Sequence, residues 1–520
     1  LARFGYKPTL DRTLGSFSSF AAGFSYISIL TGVFQMFYAG YGAGGPAFCW
    51  TWPIVFLGQF TVALCFAELA ARYPLSGGIY QWSRRVGPRS LGWMTGWVYL
   101  AGSIISLAAV AMALQGTLPQ ISSTFQFTGD STNRLDAARN AVLLGAILVF
   151  MTTVINVIGI RLMARINNVG VIAELIGVAL LIVLLALRVR RGPAILFDSL
   201  GRGELGSTSY LRPFLAAALM ASYVLYGFDT AGTLAEETDD PRRRAPWAIL
   251  QALGAAGFAG GLLILMSILS VPNPAGSALG QISGGLPLLV KDVLGAQLGT
   301  VLLIEVVFAI SVCALAVHAG SVRLMFAMAR DGNLPFARSL SHVSPRTKTP
   351  IVPAVVIGVL AVLVLVANIN FPHVIEMLCS VAIIWANLAY LLVTLPLLVV
   401  RLRRTGDFLE RPTNGGSQAK PSRRLFSLGP MGLPINLLAV IWGLFLIINI
   451  SWPRAEIYGD HPWGRWAAPI ATVSLLTAGL FYRGLRGRSS RGIVAEHRSE
   501  GALTIDRSDH PLEPCLIGPG

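Results

Sequence analysis

Twelve apolar stretches, each close to the length of a helix that crosses a bilayer, recur along this chain between Ser16 and Tyr482. Crossing about 30 Å of hydrocarbon takes roughly 20 apolar helical residues. The stretches lie near 16–41, 47–71, 90–115, 140–160, 167–187, 213–236, 245–270, 298–329, 351–368, 373–400, 432–451 and 465–482. With 54% hydrophobic residues, 12% charged residues and a mean hydropathy of +0.65, the composition is too apolar for a water-soluble domain. A bilayer offers the backbone no hydrogen-bonding partner, so each segment must satisfy itself as a helix. The chain therefore reads as an all-α polytopic membrane protein of about twelve transmembrane helices.

A formal charge of +15 would suit a nucleic-acid partner if the basic residues were clustered on one face, but they lie between the apolar stretches. If both termini are cytoplasmic, thirty of the forty Lys and Arg residues fall on the inner side, as the positive-inside rule requires. The lipid bilayer, not nucleic acid, is the expected surroundings. One outer loop dissents, carrying Arg188, Arg190, Arg191, Arg202 and Arg212. Residues 1–15 lack the apolar core of a secretory signal, so the first span is expected to be retained. Arginine outnumbers lysine 36 to 4, which points to a GC-rich bacterial genome and hence to a bacterial inner membrane.

Cys49, Cys65, Cys313, Cys379 and Cys515 are scattered without CxxC spacing, so neither a metal site nor a disulfide framework is expected. No cofactor is expected either. Six histidines with no ligand cluster and no nucleophile triad argue against an enzyme. The absence of a GxxxxGK[ST] loop leaves an ion gradient as the expected energy source, with the proton as a candidate coupling ion.

Two segments interrupt the apolar pattern: AAGFSYISILTG at 21–32 and YGFDTAGTLAEET at 226–238, at matching places five spans apart. Interrupted helices in corresponding positions of two halves point to the midplane site of an inverted-repeat secondary transporter. Unwinding frees amide and carbonyl groups, which a bilayer tolerates only around a cavity or a ligand. The N-terminal end of a half-helix suits a carboxylate, whereas free carbonyls and an acidic side chain suit an ammonium. Close helix packing is the plainer account of such glycines.

Three further stretches carry a family resemblance. AELAARYPLSGGIYQWS (67–83), YGFDTAGTLAEETDDPRRRAPWAI (226–249), and SVRLMFAMARDGNLPFA (321–337) followed by TPIVPA (349–354) resemble the amino acid, polyamine and organocation permeases, in particular their amino acid and choline transporter branch. The resemblance implies a LeuT-like core of two inverted five-helix repeats, at 16–187 and 213–400, with helices 1 and 6 broken and two peripheral helices at 432–482. A cytoplasmic N-terminus (1–15), a cytoplasmic loop (401–431) and a cytoplasmic tail (484–520) complete the expected organisation.

In similar permeases the first break binds the substrate carboxylate, and the matching positions here are Ile29, Leu30, Thr31 and Gly32, with Ser28 adjoining. In the sixth helix they are Tyr226, Gly227, Phe228 and Asp229, with Tyr223 in the place of an aromatic gate. An ionisable residue in a broken membrane helix is expensive, so Asp229 is expected to face a pathway or a partner. Glu174 stands where proton-linked relatives carry a lysine, and could carry a proton or bind a cation. Glu68 reads as a structural partner of Arg72, while Glu305, Glu376 and His318 receive no role. Trp97, Tyr99 and Trp385 are candidates for lining the cavity, with packing as the default. The function implied is secondary transport of an amino acid or gamma-amino acid by alternating access, through proton symport or exchange. The alternatives are a choline, polyamine or organic-cation carrier and a non-transporting sensor.

Overall fold

The computed structural model describes residues 12, 14–130, 133–202, 210–370, 373–403, 425–459 and 461–486. Among these, ten helical stretches are long and apolar enough to cross a membrane, and the shorter apolar helices Leu211–Val224 and Ile351–Ala367 complete the twelve. Span one comprises Ser16–Ile27 and Ile29–Gly44, span two Thr51–Arg72, span three Arg89–Ala111 with its extension Ala113–Ile121, and span four Arg134–Ile158. Span five is Ile160–Ala186, span six Leu211–Val224 with the short turn Thr230–Thr233, span seven Pro241–Leu269 and span eight Ala296–Arg330. Span nine is Ile351–Ala367, span ten Val374–Arg403, span eleven Gly432–Ser451 and span twelve Pro462–Arg486. With twelve crossings the start of span one and the end of span twelve lie on one face, referred to below as the terminus face. Most of the expected loop at 401–431 and nearly all of the expected tail at 484–520 lie outside the described residues.

The packing repeats itself. Span three lies against spans nine and ten, and span eight lies correspondingly against spans four and five. Span two packs on span seven, three on eight and four on nine, each helix meeting the one five places later. An odd number of crossings per unit makes the second unit enter from the opposite face, so these pairings are those of an inverted repeat. Span eleven lies against spans two, six and ten, while span twelve touches spans three and ten from outside. Leu480, Phe481 and Val473 of span twelve remain exposed, as suits residues facing lipid.

The loop between spans five and six holds its arginines with backbone oxygens. Arg191 donates through Nε to the Val271 carbonyl at 3.1 Å and through a second nitrogen to Pro272, and Arg202 donates to the Tyr41 carbonyl. Arg212 pairs with Glu456 at 3.1 Å. Three of the five charges that dissent from the positive-inside pattern are thus held by partners. Glu68 meets both Arg72, at 3.6 Å, and Arg401 of span ten, which adds an inter-helix tie to the local pair expected from sequence.

Candidate functional site

Span one breaks at Ser28, whose backbone adopts φ 35° and ψ 98° between the half-helices. The Ser28 hydroxyl caps the second half-helix by accepting from the Thr31 amide at 3.3 Å, and it lies 2.6 Å from the Thr31 hydroxyl. Span six stops at Val224 and passes through Gly227 at φ 88° before turning again at Thr230. A side chain at Gly227 would lie 1.9 Å from the Tyr26 ring, and one at Gly32 would lie 2.7 Å from Val224. Glycine at these two positions lets the breaks face each other in close contact. The Tyr26 and Tyr226 rings meet edge to face across them, with centroids 5.9 Å apart.

The two breaks offer opposite chemistry. At span one, Glu174 of span five accepts from the Ser28 hydroxyl at 2.9 Å and from the Leu30 amide at 3.1 Å. The Gly32 amide makes the ordinary helical bond to the Ser28 carbonyl at 3.0 Å. The helix end thus carries its own carboxylate, in the place suited to an anion. At span six, the carbonyls of Tyr223, Val224, Leu225 and Tyr226 accept no hydrogen bond among the described residues. These are the groups that could accept from an ammonium.

Asp229 is fully buried. Its carboxylate accepts from the Tyr390 hydroxyl at 2.7 Å and from the Tyr99 hydroxyl at 2.8 Å, while the Gly227 amide donates to the Tyr390 oxygen at 2.9 Å. Spans three and ten therefore clamp the acidic end of the break through two phenols. Tyr226 donates to the Ser106 hydroxyl at 2.9 Å, and Tyr223 donates to Gln35 Oε1 at 3.1 Å. Tyr223 lies beside the second half-helix of span one, and Phe228 packs its ring against Phe66 and Tyr390 inside the core.

The structure thus brings Ser28, Leu30, Thr31 and Glu174 into one cluster and Tyr226, Gly227 and Asp229 into another, with Ile29 and Gly32 buried beside the first. Of the aromatic candidates, Tyr99 belongs to the cluster. Trp97 instead forms a mutually contacting trio of rings with Trp93 and Tyr482 and donates to the Leu475 carbonyl, and Trp385 donates to Thr472 of span twelve. His318 uses both ring nitrogens, 3.0 Å from the Thr152 hydroxyl and 2.9 Å from the Ala354 carbonyl, tying spans four, eight and nine. Sequence reading missed Tyr390, Ser106 and Gln35. The available signal was a buried phenol or amide in an apolar span, which must find a partner.

On the terminus face, ion pairs lie below the breaks. Glu237 and Arg323 pair at 3.2 Å with both side chains 2% exposed, and Arg330 grips Glu236 with two bonds of 2.9 Å. Arg84 and the Tyr80 hydroxyl both donate to Asp331. Leu14 and Thr238 form a parallel bridge that binds the segment before span one to the end of span six. Toward the opposite face a small cavity lies between Phe34, Gln35, Tyr38, Met112 and Ile375, beside the second half-helix of span one.

A family model described as amino acid permease matches residues 14–475. The amino-acid permease BAT1 of Arabidopsis thaliana is 28% identical over 478 residues, covering 88% of this chain and 88% of that protein. The branched-chain amino acid permease BcaP of Bacillus subtilis is 26% identical over 465 residues, covering 86% and 90%. The low-affinity putrescine importer PlaP of Escherichia coli is 25% identical over 314 residues, covering 58% and 63%. The match spans both broken helices and the ion pairs beneath them, and the chain belongs to the amino acid permease family as a multi-pass membrane transporter of amino acids.

Proposed function

We propose that this chain is a proton-linked secondary carrier of a zwitterionic amino acid working by alternating access, with the substrate held between the two breaks. The observation that carries this reading is the Glu174 carboxylate on the Leu30 amide and Ser28 hydroxyl. A substrate carboxylate seeks the same half-helix end. While Glu174 is ionised it competes for that end; once it takes up a proton its hold weakens and the substrate carboxylate takes its place. Proton and substrate then bind together, which is the condition for symport. The substrate ammonium would sit against the span-six carbonyls, with Asp229 supplying negative potential through its phenol clamp. Thr31, Tyr226 and Tyr223 complete the lining, and no cofactor takes part.

The two halves at 16–187 and 213–400 would rock against each other, with the ion pairs of the terminus face opening as the other face closes. We propose a bacterial inner membrane as its location, with both termini in the cytoplasm; labelling of single cysteines in loops on each face of sealed vesicles tests that orientation.

A second reading, an organic cation such as a polyamine, draws on the open carbonyls and Asp229, which need no substrate carboxylate, and on the likeness to a putrescine importer. Uptake of labelled neutral, cationic and gamma-amino acids and polyamines into proteoliposomes, with and without an imposed proton gradient, separates the two. Accumulation of an amino acid driven by inward acid, lost when its carboxylate is esterified, supports the first reading. Retained uptake of the ester supports the second. Binding without accumulation or exchange would refute both and favour a sensor.

A further inference from the structure

Away from the breaks, spans six and eleven frame a groove at the face opposite the termini, walled by Leu211, Phe445, Ile448 and Trp452 and bearing Arg212 and Arg454. Arg454 is only 4% exposed, yet two of its guanidinium nitrogens, Nε and Nη1, have no hydrogen-bond partner among the described residues. The third, Nη2, donates to the Asn449 carbonyl at 2.8 Å and to Asn449 Oδ1 at 2.9 Å, closing the end of span eleven. The Asn449 amide in turn donates to the Leu215 carbonyl of span six at 3.0 Å. Burial pulls the Arg454 guanidinium below its ordinary value; Glu456 acts in the other direction and Arg212 adds to the lowering.

A buried cation with unpaired N–H groups is costly unless an anion meets it. Among the described residues Glu456 is taken by Arg212 at 3.1 Å, which leaves one net positive charge among Arg212, Arg454 and Glu456. The walls below the charge are apolar, and Trp452, 61% exposed, lies just past the end of span eleven, at the depth where aromatic residues meet lipid headgroups. An occupant that matches both parts must be anionic at one end and hydrocarbon at the other.

We propose that this groove binds an anionic phospholipid of the leaflet opposite the termini, its phosphate bonded by Arg454 and Arg212 and an acyl chain lying along Leu211, Phe445 and Ile448. Guanidinium groups bond phosphate oxygens with matched geometry and full charge assistance. The lipid would bridge span eleven to the outer half of span six, the helix that ends at the substrate break. Peripheral span eleven thereby acquires a use: it supplies one wall of a lipid site that braces span six.

The test is native mass spectrometry of the full chain released from nanodiscs containing equal phosphatidylglycerol and phosphatidylcholine. Wild-type protein should retain phosphatidylglycerol in preference to phosphatidylcholine, and Arg454→Gln should lower that retention about tenfold or more. Because Arg454 also closes a helix end, Arg212→Gln, at a half-exposed position, is the companion variant; it removes only a solvent-exposed ion pair and should also weaken retention, with an unchanged melting temperature as the check on its fold. Equal retention of the two lipids, or unchanged retention in Arg212→Gln, overturns the proposal. So does displacement of the bound species by inorganic phosphate alone, which would identify a free-anion site.

Discussion

Glu174→Gln tests the competition at the span-one break most directly, because it removes the charge while keeping an oxygen able to accept from the Ser28 hydroxyl and the Leu30 amide. The two bonds, of 2.9 and 3.1 Å, are charge-assisted when Glu174 is ionised. Bonds to charged groups contribute about 1.5–3 kcal/mol and neutral ones about 0.5–1.5 kcal/mol, so each weakens by about 1 kcal/mol in the variant. Together the loss is about 2 kcal/mol, a factor of roughly 30 in how strongly the internal group competes with the substrate carboxylate. Substrate should therefore bind the variant more tightly than wild type at alkaline pH, by up to that factor, with little difference in acid. In wild type, apparent affinity should fall as pH rises and Glu174 ionises; in the variant it should be nearly independent of pH. Scintillation-proximity binding across a pH series measures the first effect. Proteoliposome flux measures the second: gradient-driven accumulation should be lost while exchange against preloaded substrate persists. If Glu174→Gln keeps both the wild-type pH profile and gradient-driven accumulation, the coupling role assigned to Glu174 is refuted.

Gly227→Ala should abolish uptake, because a Cβ would lie 1.9 Å from the Tyr26 ring on a backbone at φ 88°; the left-handed conformation alone costs about 1–2 kcal/mol, and transport as fast as wild type would contradict the close approach of the breaks. Tyr390→Phe removes the hydroxyl shared by Gly227 and Asp229 and leaves a buried amide unpaired, at a cost of about 1–3 kcal/mol; a lowered melting temperature with weaker substrate binding is expected, and an unchanged pair of values would show the clamp to be dispensable. Asp229→Asn should weaken binding of substrates bearing an ammonium about tenfold, consistent with loss of one favourable charge, whereas unchanged binding would leave Asp229 as a capping group only. Arg323→Met strands buried Glu237 and should destabilise the protein by about 3–5 kcal/mol; adding Glu237→Leu should recover most of the loss in thermal unfolding, and no recovery would mean that the two residues act separately.

The spans were legible because apolar length is a one-dimensional signal, and the breaks at 21–32 and 226–238 because small and hydroxylated residues interrupt that signal. Partners were not legible, because they come from far along the chain. Leu30 and Glu174 are 144 residues apart, and Tyr390 and Asp229 are 161 apart, so no local pattern links them. A tyrosine in an apolar helix gives the same sequence signal whether its hydroxyl reaches a carboxylate, as Tyr99 does, or stays at an interface. Trp97 and Trp385 show the other outcome, since both are held by span twelve. The arginine-rich loop before span six stood as an exception to the charge count because the count does not see backbone carbonyls, which hold Arg191 and Arg202.

The ion pairs beneath the breaks bear on how quickly this protein can turn over. A seal of Leu and Phe would gain from every apolar contact and lose all of it on parting, which would make closure deep and reopening slow. Charges behave differently: when Arg323 leaves Glu237 and Arg330 leaves Glu236, water regains what burial took from each group, and that return offsets much of the lost attraction. Shut and parted arrangements can then lie close in free energy, so a ligand contributing only a few kcal/mol is enough to tip the balance. In the alternating-access cycle proposed above, a seal of this kind would hold when shut yet part readily, and a carrier that must reset in every cycle depends on having both properties together.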